Sequence, residues 1–436
     1  MDKRKLDILV LSCYAPPYNI AGALRVGRTC EHLQEFGHDV RLISASNVVS
    51  DRSIPALREI ESWSVDWKDV NERARRLAGG RDRSLAITQS DKKFLTPKQK
   101  LLWHASRLFR NATNIPDMFR GWIGPAFDQA SREIERRKPD LIYASILPAS
   151  AAIVAEKLSK KFDIPWVCEF RDLWVANHYY SFARWRKVLD GFIQKRAIAS
   201  SSALVTVSDP LASDLKAAFP TKRCEVILNG ADTDLLDQLV HEPAQPSDKL
   251  KIVYTGTLYK GKRDPRVLFQ AVSMLDPVLR DRVTIDFYGS DAPLYIDELA
   301  TEFGIQSNVT CYGKVDYRTA LIRQHQADVL LLLLWLDKSE QGVFTGKLFE
   351  YIASKRPIIA VGLDGNVAVE LVRERGIGFA SSNPVTLRDG LTSLLNTKLR
   401  DGAIAGLNDE ALKGLTRRDQ SRKLECLLLD TAAGNV

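Results

Sequence analysis

At 436 residues the chain exceeds what one ordinary core organises, so two domains of about 200 residues each are the natural expectation. Hydrophobic residues at 45% and charged residues at 27% are the proportions of a globular protein, with no internal repeat or low-complexity segment. No apolar run reaches the roughly 18 residues of a membrane-crossing helix, and six scattered cysteines without paired spacing argue against a disulfide framework or a zinc site.

The N-terminus, "MDKRKLDILVLSCYAPP", sets basic residues before an apolar stretch, as a leader peptide does. That stretch is brief and Pro16 and Pro17 follow it, so it reads as the first β-strand of a cytoplasmic protein. Further strand-like runs are "DVRLISA" (39–45), "DLIYAS" (140–145), "PWVCEF" (165–170) and "ALVTVS" (203–208). Between them, "ALRVGRTCEHLQEFG" and "SAAIVAEKLSKKF" have helical periodicity. Such an alternation suits a mainly parallel sheet covered on both faces.

The formal net charge of +8 is unevenly distributed. Between Arg73 and Arg120 lie 12 basic residues and only three acidic ones, Asp82, Asp91 and Asp117. Leu101, Leu102, Trp103, Leu108, Phe109, Phe119 and Trp122 are interleaved with the cations or follow them. Two readings of residues 73–122 stay open. One is an amphipathic surface resting on anionic lipid, each basic residue contributing on the order of 1 kcal/mol. The other is a solvated helical insertion with an ordinary apolar face. A nucleic-acid partner is not indicated, because no recognised binding motif surrounds the patch.

After the polar stretch "VHEPAQPSDK" (240–249) the alternation restarts with "LKIVYTG", "VTIDFYG", "VTCYG", "VLLLLLW" and "RPIIAVG". The fold class is therefore α/β, with two doubly wound, Rossmann-like domains and a cleft between them as the default ligand site. The expected division is 1–240, with a basic helical insertion at about 46–125, then 241–410, then a helical segment over 411–436.

Two motifs lie where a strand gives way to a helix. In "YTGTLYKGKRDPRVLFQAV" a strand ends at Gly256, a loop carries Lys260, Lys262 and Arg263, and a helix follows from about Asp264. Backbone amides, helix dipole and side-chain cations there all favour an anion, though a plain basic loop has the same composition. In "TGKLFEYIASKRPIIAVG" (345–362), Thr345 and Gly346 precede a helix from about Lys347 to Ser354, and Glu350 lies one turn on along the same face. A carboxylate in that place can accept hydrogen bonds from a ribose diol while the amides and Lys347 meet phosphate. A surface Lys347–Glu350 pair, worth only a few tenths of a kcal/mol, is the competing account.

These segments resemble the retaining GT-B glycosyltransferases of family 4, especially the bacterial polysaccharide and lipopolysaccharide members. The resemblance covers the chain apart from roughly 46–115. It is carried, in the family's order, by "YAPPYNIAGALRVGRTCEHLQEFGHDVRLIS", "PWVCEFRDLW", "VTVSDPLASDL", "CEVILNGADTDLL", "IVYTGTLYKGK" and "FTGKLFEYIASKRPIIAVG". It implies an acceptor-binding N-terminal domain and a donor-binding C-terminal domain. It also implies transfer of a sugar from a nucleotide-diphosphate-sugar to a saccharide or lipid-linked saccharide acceptor, with no bound metal and no cofactor beyond the donor itself.

By the same resemblance Glu350 is the second carboxylate of the family's paired-glutamate motif, the one that holds the donor ribose. Lys262 is the cation on the diphosphate, with Arg263 a close substitute; Thr257 replaces a second arginine, so Lys347 or Lys260 would have to stand in for it. Gly342 occupies the place of the first motif carboxylate, a departure that leaves the sugar contact to backbone from Val343 through Phe344 and Thr345 to Gly346, or to Glu340. Gly313, Lys314 and Val315 would face the base. Gly22, with Ala21 beside it, matches one glycine of the N-terminal loop whose amides approach the donor's diphosphate and sugar, and Gly256, at its strand end, is counted with the donor-binding residues. Arg25, Arg171 and Asp172 are assigned to the acceptor, and Lys262, Arg263, Asp172 and Glu350 to catalysis; no residue is assigned to a metal. Arg25 also reads as an exposed helix-start arginine, and Asp172 as a partner for Arg171 or a helix cap. Glu169 and Trp174 would flank that site, while Asn229 and Gly230 end a strand near the domain junction, where a tight turn alone explains the glycine. The pathway implied is cell-surface polysaccharide or lipopolysaccharide synthesis, in the cytoplasm or on the inner face of the plasma membrane.

Two other classes stay open. A non-hydrolysing nucleotide-sugar epimerase shares the fold but would need grouped acid/base residues, and His32, His38, His104, His178, His241 and His325 show no grouping. A catalytically silent glycan-assembly subunit is motivated by Gly342.

Overall fold

Parallel strands buried on both faces are held together by backbone hydrogen bonds and by apolar side chains that alternate from one face to the other. In the computed structural model, which describes residues 4–48, 52, 54–57, 59–69, 109, 112–177, 180, 182–234, 236, 247–258, 261–289, 293–338 and 341–435, the strands form two such sheets. The strands are β1 (Asp7–Leu11), β2 (Asp39–Ala45), β3 (Glu61–Val65), β4 (Leu141–Ile146), β5 (Trp166–Phe170), β6 (Ala203–Thr206) and β7 (Arg223–Val226) in the first sheet. The second sheet has β8 (Leu250–Thr255), β9 (Val283–Tyr288), β10 (Val309–Cys311), β11 (Val329–Leu333), β12 (Ile358–Val361) and β13 (Gly378–Ala380). Their orders are β3-β2-β1-β4-β5-β6-β7 and β10-β9-β8-β11-β12-β13, every pairing parallel.

Each sheet reverses its strand order once, between β1 and β4 and between β8 and β11. This is the doubly wound arrangement, two Rossmann-like domains. The chain forms two compact units: Met1–Thr206, Leu211–Val226 and Leu424–Val436 in unit 1, and Val207–Pro210 and Ile227–Lys423 in unit 2.

The leucine run of β11 shows why these residues make a strand. Val329, Leu331 and Leu333 enter one buried cluster, with Ile252, Ile285 and Leu391, while Leu330 and Leu332 enter another, with Ile352, Val369 and Tyr351. Helices therefore cover both faces, and each such leucine contributes about 1.5–3 kcal/mol by burial. In unit 1 the chain end is tied in through His38: its Nδ1 accepts from the Leu6 amide (3.1 Å), so its Nε2 bears the proton toward Glu425 (3.2 Å).

β3 lies inside the stretch expected as a helical insertion. Its sequence, "ESWSV", is mostly exposed because it is an edge strand, and so it lacks the apolar run that marks the inner strands. The basic residues from Arg73 to Arg110, together with Lys260 and Glu340, lie outside the described residues. No described helix is long and apolar enough to cross a membrane.

One buried ion pair pins unit 1. Arg25 Nε and Nη2 reach Glu169 Oε1 at 2.8 and 2.7 Å, and Ser145 Oγ donates to Glu169 Oε2 at 2.6 Å. Burial pushes the Glu169 carboxyl up, but Arg25 and the hydroxyl donors outweigh it and hold the group below its ordinary value of 4.5. Glu169→Gln leaves Arg25 buried without a counter-charge and is expected to cost about 3–5 kcal/mol in a urea melt. Because the folded value is depressed, the wild-type contribution is present above pH 4.5 and is lost as pH falls through the lowered value; the variant should lack that part of the acid slope.

Candidate functional site

In doubly wound sheets the loops that follow two strands flanking the order reversal part from each other and leave a crevice at the strands' carboxyl ends. In unit 2 those strands are β8 and β11. The loop after β8 carries Gly256, Thr257, Lys262 and Arg263, and the chain after β11 runs through Trp335 to the helix Gly346–Ala353. Lys262 Nζ lies 3.9 Å from the centroid of the Trp335 ring, a cation–π contact that joins the two loops at the reversal. Arg263 is close enough to Tyr351 for its charge to favour that phenolate.

The opening turn of Gly346–Ala353 gathers the rest. Lys347 Nζ binds Glu350 Oε2 at 2.7 Å, the i, i+3 pair that spacing alone suggests, and its stem passes Gly256, where an added Cβ would lie 3.5 Å from Lys347 Cε. Both groups are partly exposed, so the pair itself adds only about 0.2–1 kcal/mol. Gln324 does more to orient the carboxylate. Its Nε2 donates to Glu350 Oε2 at 3.2 Å and to Thr255 Oγ1 at 2.8 Å, and its Oε1 accepts from Ser354 Oγ at 3.2 Å. Both contacts to Glu350 fall on Oε2, so among the described residues Oε1 carries no hydrogen bond. Beneath them the Tyr351 hydroxyl accepts from the Thr255 amide at 3.0 Å; burial pushes this phenol up to about 12, so it stays protonated.

Thr345 stands at the helix N-cap, yet its side chain makes no capping bond, and its buried Oγ1 has no partner. A buried hydroxyl left unsatisfied costs about 1–3 kcal/mol; of the first-turn amides, that of Leu348 donates to Thr345 O at 3.2 Å. An added Cβ on Gly346 would meet nothing within 4 Å. Phe344 packs edge-on against Phe349, centroids 5.6 Å apart. On the next strands the Gly289 amide donates to Gly313 O (2.6 Å), Tyr288 stacks on Tyr312 at 4.5 Å, Lys314 is exposed and Val315 packs on the core.

Gly342, which the resemblance sets in the place of a carboxylate, is closely packed. Its carbonyl accepts from Ser208 Oγ at 2.7 Å, and a Cβ there would come within 2.9 Å of Pro210 Cβ. Any side chain would have to displace the proline ring. Gly230 sits where Ala231 bridges Thr416, so its neighbourhood is a backbone tie within unit 2.

In unit 1 the reversal lies between β1 and β4, and the structure brings Gly22 and Arg171 together there. A Cβ on Gly22 would fall 1.4 Å from Arg171 Nη1: the guanidinium lies directly over the second residue of the helix Ala21–Glu35. Arg171 Nη2 donates to Leu147 O, and burial lowers its pKa against the pull of Glu169 and Asp172. Arg25 is buried and engaged by Glu169, whereas Asp172 is exposed. Leu173 and Trp174, just beyond, are buried.

Several neighbours were not singled out by sequence. Asp117, its carboxyl raised by burial, accepts from the Ser150 amide and hydroxyl, both at 2.8 Å. Tyr14 is pushed up to about 12 by burial. Trp335 was findable as an aromatic just past a strand end; Gln324 and Asp117 are placed only by tertiary pairing. Among the described residues no group of three His, Cys, Asp or Glu side chains could hold a metal ion.

Comparison with known proteins adds two family matches. Residues 23–235 match the model described as Glycosyltransferase Family 4, and residues 249–397 that described as Glycosyl transferases group 1. Among curated protein sequences, none matches. Solved structures share the fold over almost the whole chain. A glycosyltransferase from Rickettsia africae is 16% identical with a TM-score of 0.59, covering 99% of this chain and 100% of its own. Anabaena HepE in complex with UDP is 14% identical with a TM-score of 0.54, covering 99% and 97%. The lipopolysaccharide outer core galactosyltransferase WaaB is 13% identical with a TM-score of 0.55, covering 99% and 100%.

The Gly22–Arg171 contact generates a test. Gly22→Ala forces a half-buried guanidinium aside and is expected to lower stability by about 1–3 kcal/mol. In an Arg171→Ala background the same substitution should cost much less, a coupling that a double-mutant cycle of denaturant melts measures directly.

Proposed function

We propose that the chain, whose two halves match the Glycosyltransferase Family 4 and Glycosyl transferases group 1 models and which has the GT-B fold, transfers a sugar from a nucleoside diphosphate sugar to a saccharide acceptor, lipid-linked in its biological setting. The observation that carries the donor half is the Glu350 carboxylate, oriented through one oxygen by Lys347 and Gln324, with no hydrogen bond on the other oxygen among the described residues, near the buried Thr345 hydroxyl that has no partner. Such an arrangement suits a ribose diol beside a diphosphate. The known complex of Anabaena HepE with UDP supports a nucleotide donor in this fold.

In this reading Lys262 leaves Trp335 to meet the diphosphate, and Arg263, Lys347, the amides near Gly256 and the helix N-terminus add to the positive field. Preorganised donors of this kind stabilise the charge that develops on the leaving group, which is usually the largest catalytic contribution in such a site. The bond from the anomeric carbon to the β-phosphate oxygen breaks with both electrons departing on the diphosphate. The acceptor oxygen bonds to that carbon, and its proton passes to a phosphate oxygen. Retention of configuration is the outcome that the family resemblance implies, and the cations already present supply the charge that a metal ion would otherwise bring. Backbone from Val343 to Gly346 holds the sugar where Gly342 offers no carboxylate. Gly313, Lys314 and Val315 border the base, Gly22 is assigned to the donor, and Arg171 and Asp172 are assigned to the acceptor, with Arg25 engaged by Glu169.

Calorimetry with nucleoside diphosphates tests the donor assignment. Glu350→Ala should weaken binding by about 1.5–3 kcal/mol, the range for a hydrogen bond to a charged group. Unchanged affinity in a folded variant would sink the ribose role, whereas tight nucleotide binding without transfer to any acceptor would favour a non-catalytic assembly subunit.

A further inference from the structure

The helix Arg184–Ala199 is inverted. Over its first three turns the buried residues are Arg186, Asp190 and Gln194, and only Ala197 and Ile198 at its C-terminal end add apolar burial. Arg186 Nε binds Asp190 Oδ1 at 2.7 Å, Arg186 Nη2 donates to Pro116 O at 2.8 Å and to Asn114 O, and Tyr180 OH donates to Asp190 Oδ2 at 2.8 Å. Gln194 Oε1 accepts from the Val175 amide at 3.1 Å. This polar network fixes the helix's rotation, because turning it would strand a buried ion pair.

The consequence is an apolar stripe facing outward. Trp185 (51% exposed), Val188 (76%), Leu189 (36%) and Phe192 (65%) fall at i, i+3, i+4 and i+7, the spacing that normally marks the face a helix buries. The exposed charges on the same helix, Arg184, Lys187, Lys195 and Arg196, are all positive; Asp190, its one acid, is buried and neutralised by Arg186. Arg186 also anchors the helix to residues 114 and 116, just beyond the strongly basic part of the chain.

We infer that the helix Arg184–Ala199 seats unit 1 on an anionic lipid bilayer, its Trp185, Val188, Leu189 and Phe192 stripe entering the headgroup boundary and its four cations meeting lipid phosphates. An aromatic and aliphatic stripe between Lys and Arg is the pattern of interfacial helices. The charge pattern selects this occupant over a second copy of the chain: a two-fold contact made by this helix would press the same cations against one another. The surface is carried by residues that play no part in the donor or acceptor sites.

Sedimentation of the full-length protein with vesicles tests this directly. Wild type should bind phosphatidylcholine vesicles that contain phosphatidylglycerol, bind pure phosphatidylcholine far less, and release as salt is raised. The double substitution Val188→Asp, Phe192→Asp should weaken binding by about tenfold or more without changing the melting temperature, since both side chains are exposed. Lys187→Gln with Lys195→Gln should reduce the preference for the anionic lipid. Absent binding, equal binding to neutral vesicles, or full binding retained in the Asp variant would overturn the assignment. So would light scattering that shows a wild-type dimer converted to monomer by the same variant.

Discussion

Everything at the candidate site of unit 2 depends on where the strand order of the second sheet reverses. Between β8 and β11 the connections leave toward opposite sides, so the loop with Lys262 and the loop with Trp335 face each other across the reversal. Neither loop is close to the other in sequence; the β8–β11 hydrogen bonds bring them together, and those bonds are protected by the leucines that fill both faces of β11. The chemistry is thus borrowed from the core. A helix whose N-terminus opens at the same edge completes it, bringing Lys347 and Glu350 of its first turns to the crevice as a pair.

The site also shows how polar groups are prepared for a ligand. Glu350 is steered through one oxygen by a lysine and an amide, and the amide is in turn held by Ser354 and Thr255. Orientation, more than ion-pair energy, is what these bonds provide at a partly exposed carboxylate. The buried Oγ1 of Thr345, lacking any partner, is a local cost of the kind that functional sites carry.

Much of this was legible in the sequence, and the exceptions have physical causes. Inner strands were readable because burial on both faces demands continuous apolar runs, as in "VLLLLLW". β3 was not, since an edge strand with one solvated side can be built from Glu, Ser and Trp. Gly342 looked like a lost carboxylate; the structure adds that Pro210 leaves it no room for a side chain. The sequence offers Gly22 and Arg171 only as separate candidates, and that the guanidinium lies on the glycine follows only from the pairing of β1, β4 and β5. The helix Arg184–Ala199 is the sharpest case. Its apolar spacing alone predicts an inward face, and only the buried Arg186–Asp190 pair reveals that the stripe is turned out.

Whether the β8–β11 crevice grips a diphosphate is read by calorimetry that compares a nucleoside diphosphate with the matching monophosphate, in wild type and in Lys262→Ala. Charge-assisted bonds to the second phosphate predict that wild type favours the diphosphate by about tenfold or more and that the substitution removes most of the difference. Equal affinity for the two nucleotides in wild type, or a preference untouched by Lys262→Ala, would contradict the account.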